Sequence, residues 1–161
     1  MIKFYDNLKT DVGTIYVVAD EVGICKIAIT DEDWQMYNQQ HQCRRDEERC
    51  SSAIRQLREY FCGQRQQFSI PLSIEGTAFC RQVWRELSRI PYGQVRTYAA
   101  IAASIGRPKA YRAVGQANYL NLLPIIIPCH RVIGKNGKMT GYRGSIPMKQ
   151  YLLNLEGAIT N

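Results

Sequence analysis

Histidine is nearly absent from this chain: only His41 and His130 occur in 161 residues. A site built from several imidazoles is therefore excluded, and a side chain meant to exchange protons near neutral pH falls on one of two positions. The six cysteines, at 25, 43, 50, 62, 80 and 129, include no C-x-x-C pair, which removes the usual zinc and thioredoxin patterns. His41, Cys43 and Cys50 match no standard zinc spacing, so neither a metal nor another cofactor is expected. No apolar run approaches the length of a membrane span, and the opening Met1–Asp6 lacks the long apolar stretch of a secretory signal. The expectation is a cytoplasmic protein with no membrane partner and with reduced thiols. Acidic side chains are also short, 14 against 21 lysines and arginines, and the resulting net charge of +7 suits a polyanion such as nucleic acid.

What is present is ordinary for a globular chain, with 45% hydrophobic and 22% charged residues. In the first part, Ile2–Tyr5, Thr14–Ala19 and Ile24–Thr30 read as strands joined by turns at Asp11–Gly13 and Asp20–Gly23. Residues 31–45 are polar and glutamine-rich and carry no clear period. From Asp46 to Cys62, apolar residues at 50, 53, 54, 57 and 61 follow helical spacing, with Gly63 as the stop. Phe68–Ile74 reads as a short edge strand because of Pro71. The fold class is α/β (α+β): a small N-terminal antiparallel sheet-plus-helix domain over 1–75, then a mostly helical domain over 76–161.

In the second domain, Thr77 caps a helix bearing Phe79, Val83, Trp84 and Leu87, which ends at the Pro91-Tyr92-Gly93 turn. Thr97 caps a short helix with Ile101, Ala102 and Ile105, stopped by Gly106. After Arg107-Pro108, a further helix is predicted from about Lys109 to Tyr119. Two short helices about a glycine-containing turn fit a helix-turn-helix, although the helix pair by itself reads more readily as a plain packed helical hairpin. Ser145 and Pro147 start a last helix with an apolar stripe at Met148, Tyr151, Leu152 and Leu155.

The chemistry concentrates at Ile125-Ile126-Ile127-Pro128-Cys129-His130-Arg131-Val132. Three β-branched residues between two prolines predict a buried strand ending in a stiff corner, and a thiol beside an imidazole there is a candidate nucleophile. In extended geometry adjacent side chains point apart, so a water would have to relay a proton between Cys129 and His130. Glu156 extends the inward face of the last helix and lies where the helix dipole disfavours an acid. Two local rules broken at one residue mark it as the partner of a cation or proton donor, with His130 as the choice. Such a group fixes the imidazole tautomer, and the purpose of the set is a lowered Cys129 pKa.

Taken together these residues resemble the O6-alkylguanine-DNA alkyltransferases. The resemblance covers about Ala78 to Gly157. It rests on Ile90–Gly93, Thr97-Tyr98, Gly106–Pro108, Arg112–Gly115, Asn118, Asn121, Pro128–Gly134, Gly141-Tyr142, Lys149, Leu152-Leu153 and Glu156, in order and with matching spacing. It implies a one-shot DNA repair protein in which Cys129 takes the alkyl group from O6-alkylguanine, or O4-alkylthymine, and keeps it as a thioether. Glu156, His130 and a water would carry the thiol proton, Asn121 would brace the site, and Tyr98 would stabilise the leaving base and help rotate it out. The partner implied is double-stranded DNA, bound by a monomer through the minor groove with the damaged base extruded. Arg112 would fill the gap in the stack, with Thr97, Lys109, Ala113 and Gly115 at the DNA surface. Pro128, Tyr142, Arg143, Gly144 and Lys149 would form the base pocket.

Several positions depart from the family pattern. Leu122 follows Asn121 where proline is usual, Tyr111 stands where a small residue is common, and Arg143 and Ser145 replace small residues of the pocket loop. Three rival readings are an alkyl-base-binding protein without repair activity, a Cys-His hydrolase, and a DNA-binding module whose cysteine is structural. The first normally lacks the reactive cysteine. The adjacent Cys-His order and the arginine-bearing helix pair count against the second.

Overall fold

A computed structural model describes residues 1–158; the last three residues of the expected second domain lie outside it. The chain divides into two compact units, Met1–Ile74 and a second beginning at Glu75.

In the first unit, β1 (Phe4–Thr10), β2 (Gly13–Ala19) and β3 (Ile24–Ala28) form an antiparallel meander. A two-residue β4 (Arg44–Arg45) pairs parallel to β1, so the sheet is mixed, in the order β3-β2-β1-β4. The first strand is longer and later than Ile2–Tyr5, because the turn at Asp11-Val12 pairs Thr10 with Gly13 and extends the ladder through residues 6–10, which are polar apart from Leu8. At Asp20–Gly23 the Asp20 carboxylate accepts from the Val22 and Gly23 amides at 2.8 and 3.1 Å and fixes the second turn.

The unreadable stretch is a helix, α1 (Asp31–His41), capped by Thr30, whose hydroxyl accepts from the Asp33 amide. Only Trp34 on it is buried, so its sequence shows no apolar stripe; three acids in the first turn and the cap start it instead. Helix α2 (Glu47–Phe61) follows its predicted spacing and is capped by Asp46. Phe68–Ile74 is not a strand: a single bridge, Ile24 to Leu72, replaces the ladder expected there.

The second unit holds α3 (Ala78–Leu87), α4 (Tyr98–Ser104), α5 (Tyr111–Tyr119) and α6 (Ile146–Leu155). The hydroxyls of Thr77, Thr97 and Ser145 each accept from the amide three residues on, capping α3, α4 and α6. The chain turns at Gly106, which adopts a φ of +78° closed to most residues, and α5 then starts at Tyr111. Lys109 therefore precedes the helix instead of opening it. The Trp84 indole donates to the Ala117 carbonyl at 2.8 Å and locks α3 against α5.

Two pieces of extended chain place the site. β5 (Arg96–Thr97) pairs parallel with β6 (Val132–Ile133), so the residues just after Cys129–Arg131 lie beside those just before Tyr98. The predicted strand Ile125–Ile127 is a tight turn instead: Ile125 has φ +75°, and the Ile127 amide donates to the Leu123 carbonyl at 2.8 Å. A buried β-branched residue in the left-handed region is strained by roughly 1–3 kcal/mol. On α6 the buried side chains are Met148, Lys149, Leu152 and Leu153, so the inward face is rotated from the predicted stripe and carries a lysine where Tyr151 and Leu155 were expected.

Candidate active site

Cys129 opens a single tight helical turn, Cys129–Arg131, directly after the Ile125 turn. Pro128 precedes it, and the Cys129 amide donates to the Ile127 carbonyl at 2.7 Å. Asn121 holds this loop from both ends of its amide, donating to the Ile127 carbonyl at 2.9 Å and accepting from the Leu123 amide at 3.0 Å. Asn118, on α5, donates to the Cys129 carbonyl at 3.3 Å, so α5 is tied to the backbone that carries the thiol.

The thiol is buried, and burial pushes its pKa up; Asn121 and the charges of Lys149 and Arg143 pull the other way without reversing it. This corrects the expectation of a lowered pKa. At rest Cys129 is a protonated thiol.

His130 is completely buried, and its Nε2 meets Glu156 Oε2 at 2.7 Å. Burial lowers the imidazole pKa from its ordinary 6.5, with Glu156 opposing that shift in part, so the ring is neutral at pH 7. A neutral ring with its Nε2–H on the carboxylate exposes a lone pair at Nδ1, and Nδ1 has no partner within the protein. In the helical turn neighbouring side chains still diverge, so no direct thiol–imidazole hydrogen bond forms.

Arg131 is the residue that sequence reasoning missed. Its Nε and Nη2 donate to the two oxygens of Glu156 at 2.8 and 3.0 Å, and its Nη1 donates to the Ile90 carbonyl at 2.7 Å. The Gly93 amide adds a fourth donor to Glu156 at 3.3 Å. A fork of this kind fixes the plane of a buried carboxylate, which in turn fixes the imidazole. The available signal was an arginine inside an otherwise apolar run, since a buried cation must find an acid.

The opposite wall is built around Lys149. Its ammonium donates to the carbonyls of Val132 and Thr140, the latter at 3.0 Å, and burial lowers its pKa to about 8. The Tyr98 hydroxyl donates to the same Thr140 carbonyl at 3.3 Å, and burial raises its pKa, so Tyr98 keeps its proton. Tyr142 is buried with its hydroxyl unpartnered inside the protein.

The stretch 78–158 matches the DNA binding domain of 6-O-methylguanine DNA methyltransferase, and 3–74 matches its ribonuclease-like domain. The chain belongs to the 6-O-methylguanine DNA methyltransferase family. Among its relatives, a constitutive methylated-DNA–protein-cysteine methyltransferase of Bacillus subtilis is 46% identical over 158 residues, 96% of each chain. A methylated-DNA–protein-cysteine methyltransferase of Methanosarcina acetivorans is 43% identical over 96% of this chain and 99% of its own. The fold also superposes on the Mycobacterium tuberculosis OGT solved in complex with DNA, with TM-score 0.88 and 38% identity over 96% of this chain and 92% of that one.

The structure brings Cys129, His130, Glu156, Asn121, Tyr98, Tyr142, Lys149 and Pro128 together in one region of the second unit. Arg112, Lys109 and Ala113 are exposed, with Arg112 and Ala113 on α5, while Gly115 is half-buried against the Tyr98 ring. Thr97 uses its hydroxyl as the cap of α4. Arg143 is half-buried, with its guanidinium 5.3 Å from the Tyr119 ring centre. Among the described residues no cluster of three or more metal-binding side chains forms.

Proposed function

We propose that this chain repairs alkylated DNA by moving the alkyl group from O6 of a guanine to Cys129 Sγ. The carbon–O6 bond breaks as the carbon–sulfur bond forms, and the thiol proton passes through a water to His130 Nδ1. Glu156 accepts the hydrogen bond from Nε2–H and stabilises the imidazolium so formed, while Arg131 keeps the carboxylate in place. The departing guanine carries charge on its ring, and the Tyr98 hydroxyl is the donor that meets it, with Tyr142 as a second. The product is a thioether with no easy hydrolytic exit, so each molecule acts once.

The target carbon is out of reach inside a duplex, so the nucleotide has to leave the stack. Arg112, exposed on α5, takes its place, and the small residues Ala113 and Gly115 let the helix approach the minor groove. Tyr142, Arg143 and Gly144 then line the base pocket. The observation that carries this reading is the unpartnered Nδ1 of a buried, neutral histidine one residue from a buried thiol, in a chain of this family.

The test is transfer from an oligonucleotide containing O6-methylguanine. The protein is expected to remove the methyl group in an amount that never exceeds its own, and Cys129→Ser is expected to remove none. Repeated turnover, or transfer that survives in Cys129→Ser, would sink the proposal.

A further inference from the structure

Away from Cys129, the first unit brings a lysine, a phenol and two thiols together beside α1. Lys3 stands one residue before β1, its carbonyl accepting from the Arg44 amide at 2.9 Å, and Cys25 lies buried on β3. Tyr37 reaches them from α1, where its ring packs on His41 with the centroids 4.2 Å apart. Lys3 Nζ donates to the Tyr37 hydroxyl at 3.0 Å and lies 3.9 Å from Cys25 Sγ, while the same hydroxyl is 3.8 Å from that sulfur. Burial pushes the Tyr37 pKa well up, so the phenol keeps its proton and can offer it to the sulfur while accepting from the lysine. Lys3 forms no ion pair among the described residues, so the phenol and the thiol are the partners of its nitrogen. Cys43 is half-buried against the same group.

A nitrogen nucleophile held against a thiol is placed to capture that sulfur once it is oxidised. Cys25 is 7% exposed, an opening that suits a small peroxide better than a bulky thiol. We propose that Lys3 and Cys25 form a peroxide-dependent modification site in which Nζ and Sγ become joined through one oxygen atom. The first hydrogen peroxide oxidises the Cys25 thiol to a sulfenic acid and is itself reduced to water. An oxygen bonded to Sγ then falls towards Nζ, and the lysine, in its unprotonated form, has a short distance to close. A second hydrogen peroxide oxidises the nitrogen as it bonds to that oxygen. The peroxide O–O bond breaks, one hydrogen leaves the amine and one leaves the sulfenic acid, and two waters form. Sulfur and nitrogen have each lost two electrons. Thiol reductants reverse the change, restoring thiol and amine with release of water and disulfide. The bridge ties the start of β1 to β3 across β2, and it uses none of the residues around Cys129.

The full chain is treated with hydrogen peroxide in the absence of DNA, its remaining thiols are blocked with N-ethylmaleimide in denaturant, and its tryptic peptides are read by mass spectrometry. Trypsin cuts after Lys9 and Lys26, so the peptide holding Lys3 and the peptide 10–26 holding Cys25 stay together only through a cross-link. The expected product is that linked pair with one oxygen gained and two hydrogens lost, returning to separate peptides with dithiothreitol. Lys3→Arg keeps the positive charge but lacks the amine, and it should abolish the linked pair, as should Cys25→Ser. Cys43→Ser should leave it in place. A disulfide between Cys25 and Cys43 instead of the link, or a linked pair without the added oxygen, overturns the proposal. So does a link that survives Lys3→Arg, or a wild-type Cys25 that ends as free thiol or as an uncoupled acid.

Discussion

His130 is held between opposed demands. Complete burial favours the neutral ring, while Glu156 favours the charged one, and the balance lies below the ordinary pKa of 6.5. The unfolded chain therefore binds a proton more readily than the folded one between that lowered value and 6.5. Stability is expected to fall as pH drops through 6.5, and His130→Asn should flatten that dependence in thermal melts. The same neutral ring is the proton acceptor, so the wild-type transfer rate should hold steady through neutral pH and decline only on the acid side of 6.5. A rate in His130→Asn with the same acid limb as the wild type would remove the histidine from the relay. Glu156 carries a structural load as well. Glu156→Gln leaves Arg131 buried without its counter-charge and should cost about 3–5 kcal/mol in chemical denaturation, besides slowing transfer. Neither partner was equally legible in the sequence. Glu156 stood out because it broke two local rules, whereas Arg131 obeyed none that point 25 residues ahead.

At the scale of elements, the site depends on one parallel pair of strands and one lysine. Pairing of β5 with β6 brings Tyr98 next to the Cys129 turn, and Lys149 ties β6 to the loop before Tyr142 through two carbonyls. Lys149→Met should take the lysine donor from the Val132 carbonyl and leave the Thr140 carbonyl with Tyr98 alone, costing about 1–3 kcal/mol, and speed amide exchange across 134–144. Unchanged exchange there would mean that the loop is held by something else. Local signals identified several helices well: Thr77, Thr97 and Ser145 all cap where the sequence placed them. Signals that depend on distant partners were misread. The three isoleucines favour a strand by propensity, but the Asn121 amide closes that stretch into a turn and forces Ile125 to a positive φ. Helix α1 was invisible because it buries one residue, Trp34, and so has no stripe to read. On α6 the apolar stripe gave no sign of the inward lysine, whose burial is justified by carbonyls of other elements; only the family resemblance placed Lys149 in the pocket.

For the whole molecule, the net charge of +7 is the term that acts on any DNA. Affinity for undamaged duplex should fall steeply and linearly on logarithmic axes as salt rises, with little dependence on sequence. Arg112→Ala, by contrast, should weaken repair of a duplex more than transfer from a free O6-alkylguanine base, because only the duplex needs its gap filled. Equal losses on both substrates would deny Arg112 that place. The central claim, a single irreversible transfer to one buried thiol, is tested most directly by the intact mass of the protein after incubation with excess O6-methylguanine oligonucleotide, followed by peptide mapping. One methyl group on every molecule, located on Cys129, is the predicted result. A protein of unchanged mass, or a methyl group mapped to any of the other five cysteines, would contradict it.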